Sequence, residues 1–356
     1  MKRDEKSKSM NKPLILAIDT SCDETSVAVT QGRRVLSNER YSQILMHTKW
    51  GGVVPNLAKR AHEEQIDQVV ESALKKARTR LDVIDFIAVT FGPGLAIALG
   101  VGIDKAKELA KKHDKKLIAV NHMEGHIYSC FVQNAAGNPE NEFRFPYIAL
   151  LVSGAHTELV FFKDHINYEV IGETLDDAAG EALDKAARML LGSNVYPGGP
   201  VVEQLAKKGN PEFIQFPRPM LSSKNLNFSY SGLKTALLYY LKGQSKAAQN
   251  KQIHDVAASF QEAVFDSLLM KLNQAIKKCS INNIVLGGGV VANARLRLKA
   301  RQLVKKHGGT VLFPPSKNFY GDNAAMIGVA AYYKAEKNLF VSNMETLDRS
   351  ARARLS

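Results

Sequence analysis

FPYIALLVSGAHTELVFF, residues 145–162, reads as an apolar strand, a turn of small residues and a second apolar strand. The same pattern stands earlier at 14–30, LILAIDTSCDETSVAVT, where strand PLILAIDTS (13–21) passes through a short polar turn into SVAVTQ (26–31). The two hairpins repeat an architecture rather than an identity. Each is followed by alternating helices and strands. After the first come a helical stretch AKRAHEEQIDQVVESALKKA (58–77), strand DFIAVTFGP (85–93), a helix over about 95–113, strand KLIAVNH (116–122) and a helix carrying NHMEGHIYS (121–129). After the second come a helical insertion over about 177–240, a long helix (252–278), strand NIVLGGGV (283–290), helix ANARLRLKARQLV (292–304), strand TVLFPPS (310–316) and a last helix from DNAAMIG (322–328) onward. Polar AAGNPENE (135–142) clusters Gly, Asn and Pro and marks a boundary. The expected organisation is a first α/β lobe at 13–134 and a second at 143–336. A flexible basic tail (1–12) and a second tail (337–356) flank them. Twin lobes imply a cleft between them, where ligands usually sit.

The 356 residues are 45% hydrophobic and 23% charged, ordinary for a globular chain and unlike a disordered or fibrous one. The opening MKRDEKSKSMNK has no apolar core for a signal peptide, and no run approaches the length of a membrane span. A cytoplasmic protein without membrane contact is expected. Three scattered cysteines, Cys22, Cys130 and Cys279, argue against a disulfide framework and against a cysteine zinc site. The net charge of +13 is clustered in KAKELAKKHDKK (105–116), RLRLKARQLVKKH (295–307) and RSARARLS (349–356). Such excess suits a polyanionic partner, although solvated helix faces would carry it equally well.

In NHMEGHIYS, His122 and His126 stand at i and i+4, on one helical face, and could both reach one metal ion. A zinc peptidase places its general-base glutamate directly after the first histidine, whereas Glu124 lies two residues on, about 200° round the helix. The pair is then either half of a metal site, completed by a carboxylate from elsewhere, or two partly buried histidines. Three loops follow strands directly: DTSCDET (19–25), VSGAHTE (152–158) and GGGVVAN (287–293). Exposed N–H groups in such turns can cradle phosphate. Two hairpin loops from duplicated lobes and a glycine turn ahead of a helix form the layout of the actin, sugar kinase and Hsp70 superfamily, with nucleotide between the lobes.

The ordered strings DTSCDET, WGGVVPNLAKRAH (50–62), FGPGL, NHMEGH, LVSGAHTEL, DDAAGEALDKAAR, YPGGP, FSYSGLKTA, GGGVVANARLR and GDNAAMIG span roughly 14–330. They resemble the tRNA N6-adenosine threonylcarbamoyltransferase family of bacterial TsaD type. The resemblance implies transfer of threonylcarbamoyl from threonylcarbamoyl-AMP to N6 of adenosine 37 in tRNAs reading codons that begin with A. It implies one divalent metal, with iron favoured and zinc the alternative, held by His122, His126 and Asp322. It places Leu151, Val152, Ser153, Gly154 and Ala155 at the adenylate phosphate, Asp184 at the ribose, and Gly199 and Asn293 around the nucleoside. Asp23 and Glu24 resemble acids near the reacting centre, either as proton acceptor or as structural groups. Beyond tRNA, the implied partners are a TsaB-like paralogue and a TsaE-like ATPase, with the helices after residues 56 and 98 as docking surfaces. The chain departs from the family pattern in three places. Ala155 replaces a usual glycine, Asn121 a usual histidine, and LLGSNVYPGGP runs about two residues long. A metallopeptidase, a degenerate nucleotide-binding scaffold and a sugar kinase are the competing readings; the misplaced Glu124 disfavours the first and the complete ligand set the second.

Overall fold

The structure is a computed structural model and describes residues 12–355; the tail expected at 1–12 lies outside the described residues except for Lys12. The first sheet contains β1 (Leu14–Asp19), β2 (Glu24–Gln31), β3 (Arg34–Ser42), β4 (Phe86–Gly92) and β5 (Lys116–Asn121), in the order β3-β2-β1-β4-β5. β1 to β3 form an antiparallel meander, and β4 and β5 extend it in parallel from β1. The second sheet contains β6 (Tyr147–Val152), β7 (Thr157–Asp164), β8 (Asn167–Glu173), β9 (Asn283–Gly287) and β10 (Thr310–Leu312). Its order β8-β7-β6-β9-β10 repeats the first strand for strand, with the same antiparallel meander and parallel extension. The expected duplicated, actin-like α/β architecture is therefore present. β1 and β6, the central strands, are almost wholly buried, which is why their sequences are continuous apolar runs.

Among the described residues, the helices of the first half are α1 (Ile44–Thr48), α2 (Pro55–Ala77), α3 (Ala96–Lys112) and α4 (His122–Tyr128). Those of the second are α5 (Ala179–Leu191), α6 (Gly198–Ala206), α7 (Ser231–Lys242), α8 (Lys246–Cys279), α9 (Ala294–Lys306) and α10 (Ala324–Glu336). α5, α6 and α7 lie in the expected helical insertion, and α8 supplies its apolar wall through Phe260, Val264 and Leu268.

The lobes do not keep separate cores. α10 follows the second lobe in sequence but packs against β1 and β2 of the first sheet, while α4, continuing from β5, touches β6 and β9 of the second. Met123 and Ile127 of α4, Met326 and Ile327 of α10, Leu151 and Val285 thus belong to one apolar cluster running through the seam. Two short helices wedged between twin sheets fix where the lobes meet, and their N-termini open into the cleft.

Candidate active site and metal centre

α4 begins at the C-terminal end of β5, and Asn121 caps it by accepting the N–H of Met123. This start aims His122 and His126 at the seam, with ring centroids 4.6 Å apart and nearly perpendicular. The turn before α10 brings Asp322 to the same point. Its Oδ1 lies 3.3 Å from His122 Nε2 and 3.5 Å from His126 Nε2. Asp322 is pinned there because Asn323 caps α10, while the N–H groups of Ala324 and Ala325 donate to Ser26 Oγ and Asn38 Oδ1 on the first sheet. The structure thus brings together the three residues expected to hold a metal, with ligand atoms within 4.8 Å of one another.

Local chemistry fits a cation. Both histidines are buried, yet His126 Nδ1 and Nε2 and His122 Nδ1 have no hydrogen-bond partner among the described residues. Such orphaned nitrogens are costly unless something completes them. Burial pushes His126 toward the neutral, ligating form. Burial would do the same to His122, but the carboxylates of Asp322 and Asp19 outweigh it and raise its proton affinity. Asp322, resisted by burial, is held well below the usual carboxylate range chiefly by His122. Two carboxylates around two neutral imidazoles carry two negative charges, which a divalent ion balances in place of a proton.

Asp19, at the end of β1, stands beside the metal residues, and the sequence reading passed over it. Its Oδ1 lies 3.7 Å from His122 Nδ1, beyond hydrogen-bond distance but close enough for its charge to act on the imidazole. Its only sequence signal was its place at the head of the DTSCDET loop. Glu124 points elsewhere: it is buried in an ion pair with Lys334 at 3.2 Å and cannot serve a metal-bound water.

The cleft beside the metal residues has a cavity of about 860 Å³. Asp23, Glu24, Ser153, Gly154, Ala155, Asp184, Gly199 and Asn293 all line it. Leu151 and Val152 do not; they are strand residues of β6 buried in the apolar clusters to either side. Ala155 has no left-handed backbone, so the methyl group that replaces the usual glycine is accommodated. Asp184 Oδ1 accepts the N–H groups of Gly198 and Gly199 at 2.7 and 2.9 Å, fixing the start of α6. Asn293 caps α9 through Oδ1 and donates to Gln261 Oε1 at 2.7 Å. The GGG turn closes under the histidine helix. A Cβ at Gly287 would stand 2.3 Å from the His126 carbonyl oxygen, and Gly288, at φ 97°, lies against the Val152 carbonyl.

Asp23 and Glu24 face each other's surroundings differently. Asp23, raised by burial and by Asp322, accepts the Tyr196 hydroxyl at 3.0 Å from across the cleft. Glu24 accepts Ser42 Oγ at 2.8 Å, and burial, only partly offset by Ser42 and Arg40, lifts it to about 7. A carboxyl balanced at neutral pH can take up and release a proton. His156, also on the cavity wall and absent from the sequence expectations, is lowered to about 4 by burial and by the neighbouring His122 and His126. Arg188 Nη1 reaches the Gly51 carbonyl at 2.8 Å and ties the two walls together.

Residues 34–329 match the family model described as TsaD, tRNA N6-adenosine threonylcarbamoyltransferase. The chain belongs to that family. The transferase is 47% identical over 327 residues to the tRNA N6-adenosine threonylcarbamoyltransferase of Kosmotoga olearia, covering 92% of this chain and 94% of that one. It is 48% identical over 326 residues to that of Clostridioides difficile, covering 91% and 94%. Its fold is similar to HypF of T. kodakarensis, with a TM-score of 0.62 at 14% identity over 92% of this chain and 48% of that one. It is also similar to component A of (R)-2-hydroxyglutaryl-CoA dehydratase from Acidaminococcus fermentans, with a TM-score of 0.50 at 14% identity over 91% and 100%. The transferase threonylcarbamoylates N6 of adenosine in tRNA. No helix among its described residues is long and apolar enough to cross a membrane.

Proposed function

We propose that the cleft binds threonylcarbamoyl-AMP and that the transferase passes its threonylcarbamoyl group to N6 of adenosine 37 in tRNAs reading codons that begin with A, releasing AMP. The observation that carries this reading is the meeting of His122, His126 and Asp322 at the edge of an interlobe cavity of nucleotide size. His122, His126 and Asp322 would hold one divalent metal, iron by preference for two imidazoles and a carboxylate, with zinc the alternative. When bound, the metal supplies Lewis acidity toward a carbonyl or phosphate oxygen. The charge of Asp19 acts on His122 from behind it.

The remaining work falls to the chain itself. Ser153, Gly154 and Ala155 offer a short polar turn to the adenylate phosphate, and the N–H groups of Gly154 and Ala155 donate to no protein group among the described residues. Asp184 and Asn293 stand farther along the same wall for the ribose and the nucleoside, beside Gly199. The exocyclic amine of adenosine is a weak nucleophile and must lose a proton as the new bond forms. Glu24, half-ionised near pH 7, is placed to accept it, and Asp23 with Tyr196 holds the loop that carries Glu24. AMP leaves as an already good leaving group.

A TsaB-like paralogue and a TsaE-like ATPase are the proposed protein partners. α2 and α3 lie side by side with a groove of about 400 Å³ lined by Lys59, Glu63, Asp67 and Glu108, a charged surface suited to a protein contact. A cytoplasmic location accords with a tRNA substrate. Metal-loaded transferase incubated with threonylcarbamoyl-AMP and unmodified tRNA, with and without the two partners, should yield threonylcarbamoyladenosine at position 37 by mass spectrometry of digested tRNA. Absence of the modified nucleoside in every combination would refute the reading.

A further inference from the structure

The three basic clusters of the sequence occupy very different places. KAKELAKKHDKK fills the far end of α3. That helix starts beside the cleft at Ala96, and its 17 residues carry the last lysines about 25 Å away from it. Lys105 is also paired with Asp67 and Glu108, Lys111 with Glu345, and Lys115 with the Asp82 carbonyl. In the α9 cluster, Arg295 and Lys299 are held by Glu262, and Arg297 reaches back to the Val291 carbonyl. Neither cluster offers much free charge at the cleft.

The third cluster lies on an arm, residues 341–355, that climbs the edge of the first sheet to the cleft mouth. Val341 N–H donates to the Leu117 carbonyl at 2.9 Å, and Ser350 N–H to the Phe91 carbonyl at 2.8 Å. Gly94 N–H donates to the Ala351 carbonyl at 3.3 Å, Asn121 Nδ2 to the Arg354 carbonyl at 3.2 Å, and Leu355 is buried in the seam cluster. The strand end is shaped to receive this arm, because a Cβ at Gly92 would stand 1.9 Å from the Ser350 carbonyl oxygen. Ala351 lines the cleft itself. Arg349 turns away, over the groove between α2 and α3. Arg352 is exposed and has no ion-pair partner among the described residues. Arg354, 82% exposed, reaches across the seam to Glu173 at 3.5 Å, a contact of little strength at such exposure.

We propose that residues 350–355 form part of the RNA-binding rim of the cleft, with Arg352 and Arg354 taking backbone phosphates of the tRNA loop that presents the target adenosine. This rests on the reading above, in which that adenosine enters the interlobe cleft. Guanidinium groups match phosphate oxygens in a fixed fork, and the arm's backbone anchoring places them at the mouth without the ordering cost a loose tail would bear. The ligand is a phosphodiester of an unpaired loop rather than the adenylate phosphate, since both arginines stand exposed at the rim whereas Ser153 to Ala155 serve the interior.

The test is tRNA binding by the full-length metal-loaded transferase as a function of salt, comparing wild type with Arg352→Gln/Arg354→Gln. Each lost contact to unpaired RNA removes about 0.7 from the slope of log affinity against log salt, so the double variant should lose about 1.4 and bind about 25-fold more weakly at 0.1 M salt. Arg352→Lys/Arg354→Lys should restore most of the slope. Glu173→Gln, which frees Arg354, should bind at least as tightly as wild type. Adenylate affinity should be the same in all four proteins. Wild-type affinity and slope in the glutamine variant would overturn the proposal, as would parallel loss of adenylate binding, which would make the arm a structural brace. Absence of tRNA binding by the wild type would instead sink the functional reading on which the proposal rests.

Discussion

Replacing Glu24 with glutamine should make the transferase more stable above neutral pH and less active at once. In the unfolded chain this carboxyl ionises near 4.5, and in the fold burial lifts it to about 7. Between those values the folded protein holds a proton that the unfolded chain has released, so stability must fall as pH rises through that window. At about 1.4 kcal/mol per tenfold change in proton affinity, the full cost is about 3 kcal/mol, reached above pH 7. The Glu24 side chain is 12% exposed, so solvent screening takes little from this figure. Glutamine keeps the size and the acceptor for Ser42 Oγ but never ionises. The stability of Glu24→Gln relative to wild type should therefore stay level below pH 4.5 and rise by about 3 kcal/mol by pH 8, as read from urea unfolding at a series of pH values. Loss of a proton acceptor should lower the transfer rate about 100-fold or more above pH 7, where wild-type Glu24 is ionised, and progressively less toward pH 5, where wild-type Glu24 is itself protonated. A stability difference that does not change between pH 5 and pH 8 would refute the assignment of a raised, burial-driven proton affinity to Glu24.

His126→Ala should abolish stoichiometric metal binding, measured by elemental analysis after dialysis, and with it threonylcarbamoyl transfer, while the far-ultraviolet dichroism stays that of wild type. Asp19→Asn should leave the ligands in place but loosen metal about 10- to 100-fold in competition with a chelator, because His122 loses the carboxylate whose charge acts on it. Gly287→Ala places a methyl carbon 2.3 Å from the His126 carbonyl oxygen, and the forced shift should cost about 1–3 kcal/mol in unfolding free energy and weaken metal binding as well. A variant as stable and as metal-tight as wild type would show that the turn is not closed against α4.

The sequence disclosed the hairpins because β1, β2, β6 and β7 are central or near-central strands whose burial demands uninterrupted or alternating apolar residues. β3 and β8 went unread because they are sheet edges, RVLSNERYS and NYEVIGE, half exposed and rich in polar side chains. His122 and His126 could be paired from helical spacing alone, but nothing local connects them to Asp322, and only the family resemblance supplied that ligand. Asp19 and Tyr196 were hidden for the opposite reason, since they sit inside motifs whose other members drew the reading. The arm at 341–355 has no periodicity at all; it is ordered by backbone hydrogen bonds to strand ends, which leave no pattern in side-chain type.

The crossing of α4 and α10 between the sheets also decides how the site can work. His122 and His126 extend from β5, and Asp322 is fastened through the start of α10 to Ser26 and Asn38, so all three residues proposed to hold the metal are anchored to the first sheet. The wall proposed for the adenylate, Ser153 to Ala155 with Asp184 and Asn293, belongs to the second. In the proposed reaction the carbonyl can meet His122, His126, Asp322 and Glu24 only when the two lobes hold one spacing, and a displacement of about 1 Å between them would cost much of the rate. Contacts that span the seam at the cleft among the described residues include Arg188 to the Gly51 carbonyl, Thr48 Oγ1 to the Tyr196 carbonyl, Tyr196 to Asp23, and Arg354 to Glu173. Each begins or ends beside a residue of the cleft or of its proposed RNA-binding rim, so on that reading substrate binding and lobe spacing are coupled through the same side chains. On the proposed reading, the duplicated fold therefore does more than enclose a ligand: the electrophile's handle falls to one lobe and the metal and base to the other, and their alignment becomes a property of the seam.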